Sequence, residues 1–309
     1  MKILILGYSS LCKRKIIPAL KNLFTEIEFC ISSKSQNRQY VGESEWFTSY
    51  EDALKKSKAD IVYISLINSE HYYWAKKFLK NNYHVIIDKP ATLNFKQAKD
   101  LIKIAKKKRK LLSEAVVFHH HHQINKAMHE IKSIKNLDSL EAKFTIPKLE
   151  KKNFRNYKKY GGGCLLDMGS YAAAIFRMYI SEDYSKISIQ CFSNYTKNGF
   201  NKNFNVLVLT PNKFFTGFFS FDEKYENTLA LSTKRKKVII NRVFSPPNDQ
   251  NLILQINQGR VKKEKKIKKD DAFLNYFKFI FKTIKRKSFE NSYQNILKDS
   301  FFREKLKKI

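Results

Sequence analysis

Residues 1–115 alternate short apolar runs with amphipathic stretches, and this alternation constrains the fold more than any other feature of the chain. Lys2 to Leu6 is an apolar run of strand length ending at Gly7, and Lys15 to Phe24 then carries helical periodicity. Glu26 to Ser32 reads as a second strand. From Ser49 to Ser57 the pattern is that of a helix, with Ser49 as N-cap and Asp52 at its third position. Ala59 to Leu66 is a third strand, Glu70 to Asn81 a helix and Tyr83 to Ile87 a fourth strand. Phe95 to Arg109 places Ala98, Leu101, Ile102 and Ala105 on one helical face, and Lys110 to Ser113 opens a further strand. Strict alternation of this kind predicts a doubly wound parallel sheet with right-handed crossovers, a Rossmann-type α/β domain. Ligands of such sheets sit beyond the carboxyl ends of the strands.

The first strand-helix turn is then the place for a dinucleotide pyrophosphate, held on backbone N–H groups at a helix start. Gly7, Ser9, Ser10 and Leu11 form that turn. A complete fingerprint has glycine at three positions, here Gly7, Ser9 and Cys12. Ser9 permits a close turn and carries a hydroxyl able to donate to a phosphate, whereas Cys12 should loosen the helix-strand packing that a third glycine allows. An acidic residue at the end of the second strand would select NAD. The segment here is Ser32-Ser33-Lys34-Ser35. Ser33 and Lys34, with Arg38, suit a 2′-phosphate, so NADP is the preferred cofactor and NAD the alternative. An ordinary polar loop fits the same residues equally well.

The second half is richer in strands. Ser139 to Thr145, Lys186 to Phe192, Asn205 to Thr210, Phe214 to Phe221, Thr228 to Ser232, Lys237 to Ile240 and Asn251 to Gln255 are all strand-like. They predict an open, mostly antiparallel sheet in an α+β domain, packed on a helix beginning near Cys164. Lys262 to Lys269 is a charge run read as a solvated loop. Asp271 to Ile284 and Asn295 to Ile309 are read as helices. The resulting division is a dinucleotide-binding domain over 1–118 and an α+β domain over 119–309.

Composition narrows the function classes. A hydrophobic share of 43% and a charged share of 28% belong to a soluble globular protein. No stretch is long enough to span a membrane, and the apolar start is too short for a secretory signal. The four cysteines lack CxxC pairing and read as reduced thiols of a cytoplasmic protein, without a metal. The net charge of +32 would by itself suggest nucleic acid or an anionic membrane. Its lysines, however, run through the whole chain beside many Asn, Ile, Phe and Tyr, residues that share AT-rich codons. Coding bias is therefore a sufficient explanation of the charge, with binding to nucleic acid through a positive surface as the alternative. A positive field still favours anionic ligands such as a pyrophosphate cofactor or a nucleotide-sugar.

Four motifs occur in order: Tyr63-Ile64-Ser65-Leu66-Ile67-Asn68-Ser69-Glu70-His71, His84-Val85-Ile86-Ile87-Asp88-Lys89-Pro90, Leu111-Leu112-Ser113-Glu114-Ala115, and Gly161-Gly162-Gly163-Cys164-Leu165-Leu166-Asp167-Met168-Gly169-Ser170-Tyr171. Together they resemble the glucose-fructose oxidoreductase/inositol dehydrogenase/rhizopine-catabolism (Gfo/Idh/MocA) family over most of residues 1–180. The departures are the single-glycine turn, Asp88 where the family has glutamate, and Ile67 where it has proline. The resemblance implies a bacterial NAD(P)-dependent oxidoreductase acting on a sugar, polyol or nucleotide-sugar, and a homo-oligomer, dimer or tetramer, built through the second domain's sheet. It assigns substrate binding and dimerisation to the domain over 119–309. It makes Lys89 the residue that contacts the reacting hydroxyl and the cofactor. It puts Tyr171, four residues after Asp167 and so on the same helical face, in the proton-transfer position. Asp167 then binds a substrate hydroxyl, and a lysine cation near a phenol favours its ionised form. His121, in the tract His119 to His122, is placed toward the substrate. Leu66, Asn68, His71, Asp88 and Glu114 complete the cofactor set. The alternative is a family member that binds cofactor without turnover.

Overall fold

The computed structural model describes residues 1–23, 28–34, 45–180 and 187–307. Two compact units emerge, one of Met1–Ala115 with Phe273–Ser300, the other of Val116–Ala272 with Phe301–Ile309.

In the first unit β1 (Lys2–Leu6) ends in the turn at Gly7, and a helical run over 10–21 follows. That run opens with a π-helical segment, Cys12–Ile16, and closes as α1 (Ile17–Lys21). Next come β2 (Glu28–Ser32), β3 (Trp46–Phe47), α2 (Tyr50–Lys56), β4 (Ile61–Ile64), α3 (Asn68–Lys80), β5 (His84–Asp88), α4 (Phe95–Lys108) and β6 (Leu112–Ala115). The strands form one parallel sheet in the order β3-β2-β1-β4-β5-β6, the doubly wound arrangement expected. Ser49 caps α2 as anticipated, its hydroxyl accepting the Asp52 N–H at 3.2 Å. Ile3 to Leu6 and Ile61 to Ile64 are fully buried, as strands covered on both faces must be. β3 has no counterpart in the sequence reading, since two residues are too few to show a period. α7 (Ala272–Arg286) and the first part of α8 (Glu290–Leu306) also contribute: the Tyr276 and Ser113 hydroxyls lie 2.9 Å apart, and the Tyr293 hydroxyl donates to the Lys110 carbonyl. α8 begins at Glu290, earlier than the expected Asn295.

The second unit holds α5 (His122–Ile131), β7 (Ser139–Thr145), α6 (Cys164–Tyr179), β8 (Ser188–Tyr195), β9 (Asn201–Leu209), β10 (Phe214–Ser220), β11 (Glu226–Ser232), β12 (Lys237–Asn241), β13 (Leu252–Gln258) and β14 (Val261–Ile267). The sheet order is β14-β13-β12-β11-β7-β10-β9-β8, antiparallel throughout except for the parallel pair β7/β10. α6 is apolar around most of its circumference and buries Leu165, Met168, Ala172, Ala173, Ile175 and Phe176. It packs on β9 and β10, while α5 covers β12 to β14. The opposite face of the sheet carries Phe192, Leu209, Phe214 and Ile253, which are 66%, 43%, 46% and 46% exposed. The charge run expected to be a loop is instead the edge strand β14. From Val261 to Lys266 every side chain is exposed, so no apolar period marks the strand, and lysines on an edge discourage pairing with another chain.

Candidate active site

The parallel register brings the ends of β1, β4 and β5 side by side, with Leu6 opposite Ile64 and Ile64 opposite Ile87. Beyond them lie Gly7, Ser65 and Lys89. Gly7 has φ +96°, and a Cβ there would stand 2.3 Å from the Ser65 carbonyl oxygen, so only glycine fits. Its N–H donates to the Ser32 carbonyl at 2.8 Å. Ser9 then acts as a helix cap: its carbonyl accepts the Lys13 N–H and its hydroxyl accepts the Cys12 N–H at 3.1 Å. The next two amides, those of Ser10 and Leu11, occupy the helix-start positions that have no intrahelical acceptor. This cradle suits an anion such as a pyrophosphate, and Ser10 is solvent-exposed at its lip. Cys12, at the position of the fingerprint's third glycine, is fully buried, with its thiol donating to the Gly7 carbonyl. The π-helical segment starts at that residue.

At the end of β2, Ser33 is buried and its N–H donates to the Phe47 carbonyl at 3.0 Å. Lys34 is exposed, its ammonium 5.4 Å from the centre of the Tyr50 ring. Arg38 lies outside the described residues.

Asp88 ends β5 with both carboxylate oxygens engaged: the Tyr63 hydroxyl donates to Oδ1, and the Ser65 hydroxyl to Oδ2 at 2.6 Å. Burial pushes its carboxyl above the ordinary range, against the pull of the two hydroxyls, His71 and Lys89. The Tyr63 phenol is driven well up by burial and by the Asp88 charge. Lys89 follows, partly exposed, with a cis peptide to Pro90. His71 is fully buried on α3, its Nδ1 2.8 Å from the Pro90 carbonyl and its Nε2 3.0 Å from the Leu66 carbonyl. It thus ties the loop after β4 to the turn after β5. Asn68 is buried at the start of α3, Leu66 is partly exposed in the loop before it, and Glu114 is partly exposed on β6 opposite Ile87.

In the second unit Asp167 lies in the first turn of α6, where the helix dipole favours a carboxylate. It is 5% exposed and ion-paired, with Arg155 Nε 2.9 Å from its Oδ1. The loop bearing Arg155 approaches so closely that a Cβ on Gly162 would stand 2.4 Å from the Arg155 carbonyl oxygen. Tyr171 follows one turn later with its ring among Phe118, Phe144 and Phe244, at centroid distances of 6.0, 5.3 and 5.1 Å. His121 is fully buried and caps α5, its Nδ1 accepting the Gln123 N–H at 3.2 Å. The His119 and His120 rings lie 4.1 Å apart, and burial holds both well below the ordinary histidine range. Among the described residues no group of His, Cys, Asp and Glu is arranged to hold a metal.

Sequence reasoning missed Tyr63, Ser65 and Arg155. All three act through space on residues it had singled out: Tyr63 and Ser65 lie in the first of the four motifs but reach Asp88 in the second, and Arg155 lies outside the motifs altogether. The one available signal was positional, since Ser65 closes a central strand.

A profile of the family described as "Oxidoreductase family, NAD-binding Rossmann fold" matches residues 1–116. Residues 1–116 therefore carry the NAD-binding domain of the Gfo/Idh/MocA family. Over 278 residues, 88% of this chain and 83% of the relative, it is 26% identical to dTDP-3,4-didehydro-2,6-dideoxy-alpha-D-glucose 3-reductase of Saccharopolyspora spinosa. The Actinomadura kijaniata enzyme of the same name is 24% identical, covering 82% of this chain and 78% of its own. Among solved structures, KijD10, a 3-ketoreductase of Actinomadura kijaniata crystallised with NADP and TDP-benzene, shares the fold. Its TM-score is 0.91 at 21% identity, over 99% of this chain and 97% of that one. An aldose-aldose oxidoreductase of Caulobacter crescentus matches at 0.86 and 17% identity, over 99% and 96%.

Proposed function

We propose that this chain is an NAD(P)-dependent sugar oxidoreductase, with NADP the preferred cofactor and a nucleotide-sugar carbinol or carbonyl as substrate. The observation that carries the reading is the joint placement of the Gly7 to Leu11 anion cradle and of Asp88-Lys89 at neighbouring strand ends of a doubly wound sheet. The 3-reductases acting on dTDP-sugars, similar over most of their length, support the substrate class. Ser33 and Lys34 are the residues for a 2′-phosphate. The dinucleotide, when bound, supplies the hydride site.

The chain supplies the proton and the field. Lys89 presents a cation where negative charge develops on the reacting oxygen. Tyr171 is the acid/base, donating its phenolic proton to a carbonyl being reduced and recovering it in the reverse direction. Its three phenylalanine neighbours pack about the ring and limit its motion, which favours a fixed donor. Asp167, held by Arg155, is assigned to a substrate hydroxyl. His121 is assigned to the margin of the substrate site, acting through the start of α5 that it caps. A homo-oligomer, dimer or tetramer, is supported by the apolar residues on the open sheet face. No helix among the described residues is long and apolar enough to cross a membrane.

The deciding experiment titrates NADPH by its fluorescence and then screens dTDP-3-keto sugars for turnover. Tyr171→Phe is expected to keep NADPH affinity and lose about 10²–10⁴-fold in kcat. Lys89→Ala is expected to lower turnover and weaken the cofactor complex together. Near-normal turnover in either variant would sink the assignment, and NADPH binding with no turnover on any candidate would favour a binding protein without catalysis.

A further inference from the structure

Ser65 stands between the two places where this chain most visibly departs from the family pattern, Ser9 in the glycine turn and Asp88 before Lys89. Its backbone is sewn to β1, the Ser65 N–H donating to the Leu6 carbonyl at 2.8 Å. Its carbonyl sits over Gly7, in the space that any side chain there would need. The side chain then reaches both ways, 2.8 Å to the Ser9 hydroxyl and 2.6 Å to Asp88 Oδ2.

Donor bookkeeping fixes a direction. Each hydroxyl owns one hydrogen. The Ser65 hydrogen goes to the Asp88 carboxylate, so the Ser9 hydroxyl is the donor in the Ser9–Ser65 contact. Ser9 Oγ in turn accepts the Cys12 N–H. One chain of donors therefore runs from the helix-start amide through Ser9 and Ser65 to Asp88, while the Tyr63 hydroxyl closes on the other oxygen. An ionised acceptor at its end strengthens every link. With its hydrogen turned inward, Ser9 leaves the anion to the Ser10 and Leu11 amides.

We propose that Ser65 is a positioning residue of the cofactor site: through Ser9 and Asp88 it couples the pyrophosphate turn to the segment that presents Lys89. Where the usual turn relies on a second glycine, this one is braced by a hydroxyl pair anchored on a carboxylate. The proposal rests on the dinucleotide-binding reading given above.

The test is a double-mutant cycle on the full chain, read as the NADPH dissociation constant by fluorescence. Ser9→Ala and Ser65→Ala are each expected to weaken binding about tenfold, the usual scale for a hydrogen bond tied to a charge. The double variant should be no worse than the weaker single, because both break the same chain. Ser65→Thr, which keeps the hydroxyl, should bind like the parent, and Ser65→Val, of the same shape without it, should bind like Ser65→Ala. The Thr/Val pair decides the matter if the alanine variant does not fold. Losses that multiply in the double variant, or equal binding by Thr and Val, overturn the coupling alone. A parent protein that takes up neither NADPH nor NADH overturns the dinucleotide reading, and the coupling with it.

Discussion

Gly7 and Asp88 carry opposite kinds of constraint. At Gly7 the constraint is steric: a positive φ and a carbonyl in the space of a Cβ. Gly7→Ala must therefore move β4 away from β1 as well as strain its own backbone. We expect a loss of several kcal/mol, on the order of 3, seen as a fall in the thermal midpoint and in soluble yield. An alanine variant as stable as the parent would mean that the turn is not built as described. At Asp88 the constraint is electrostatic. A buried carboxylate accepts two hydroxyls, and its charge is held at a cost that burial imposes. Asp88→Asn keeps the shape and removes the charge, and its Nδ2 must donate where the carboxylate accepted. The Ser65 hydroxyl is then free to turn toward Ser9. We expect thermal stability equal to or above that of the parent, together with weaker NADPH binding. A cofactor affinity unchanged by this substitution would show that the charge does not matter to the turn.

Among the elements, legibility in the sequence followed burial. β1 and β7 fell where the apolar runs place them, and α2 began at its serine cap, because those segments repeat the pattern that one or two covered faces impose. β14 did not, because a strand with solvent on both faces has no apolar period to read. Its lysines still have a task at the sheet edge. Replacing Lys262, Lys263 and Lys266 with valine or threonine should leave the fold intact and promote edge-to-edge association, measured as concentration-dependent light scattering. A monodisperse variant at high concentration would contradict that role. The candidate site divides in the same way. Lys89 was legible because a strand end and the Asp-Lys-Pro setting are local features. Ser65, Tyr63 and Arg155 were not, because their partners are 23, 25 and 12 residues away and meet them only through sheet register or loop packing. The contact between Tyr276 and Ser113, 163 residues apart, lies beyond any spacing rule.

For the molecule as a whole, acid is the condition to which this composition is most exposed. The net charge is already +32 near neutrality, so each carboxylate neutralised by acid adds to self-repulsion. Buried histidines add a specific term. Burial first, then Lys110, lowers His84 from 6.5 to about 4, and its Nδ1 accepts the Leu111 N–H, a bond that a proton on that nitrogen would break. Burial, with Arg177 behind it, lowers His120 to about 4, and His119 and His121 shift the same way. In the unfolded chain these groups take a proton as the pH falls through about 6.5, while in the fold His84 and His120 resist it down to about 4 and His119 and His121 are likewise held below the ordinary range. Between those limits the unfolded state binds more protons, so stability must fall as the pH falls. Asp88 works in the opposite sense, its raised carboxyl favouring the fold as it protonates, but only above the ordinary aspartate value of 3.8 and as one group against several. The thermal midpoint should therefore decline steadily from about pH 7 to about pH 4.5. His120→Gln, which cannot be protonated, should flatten the slope of that decline, and added salt should raise the whole curve by screening the excess positive charge. A midpoint that stays level to pH 5 would mean that the buried rings accept protons in place, and that the closed environments of His84 and His120 open more readily than their packing implies.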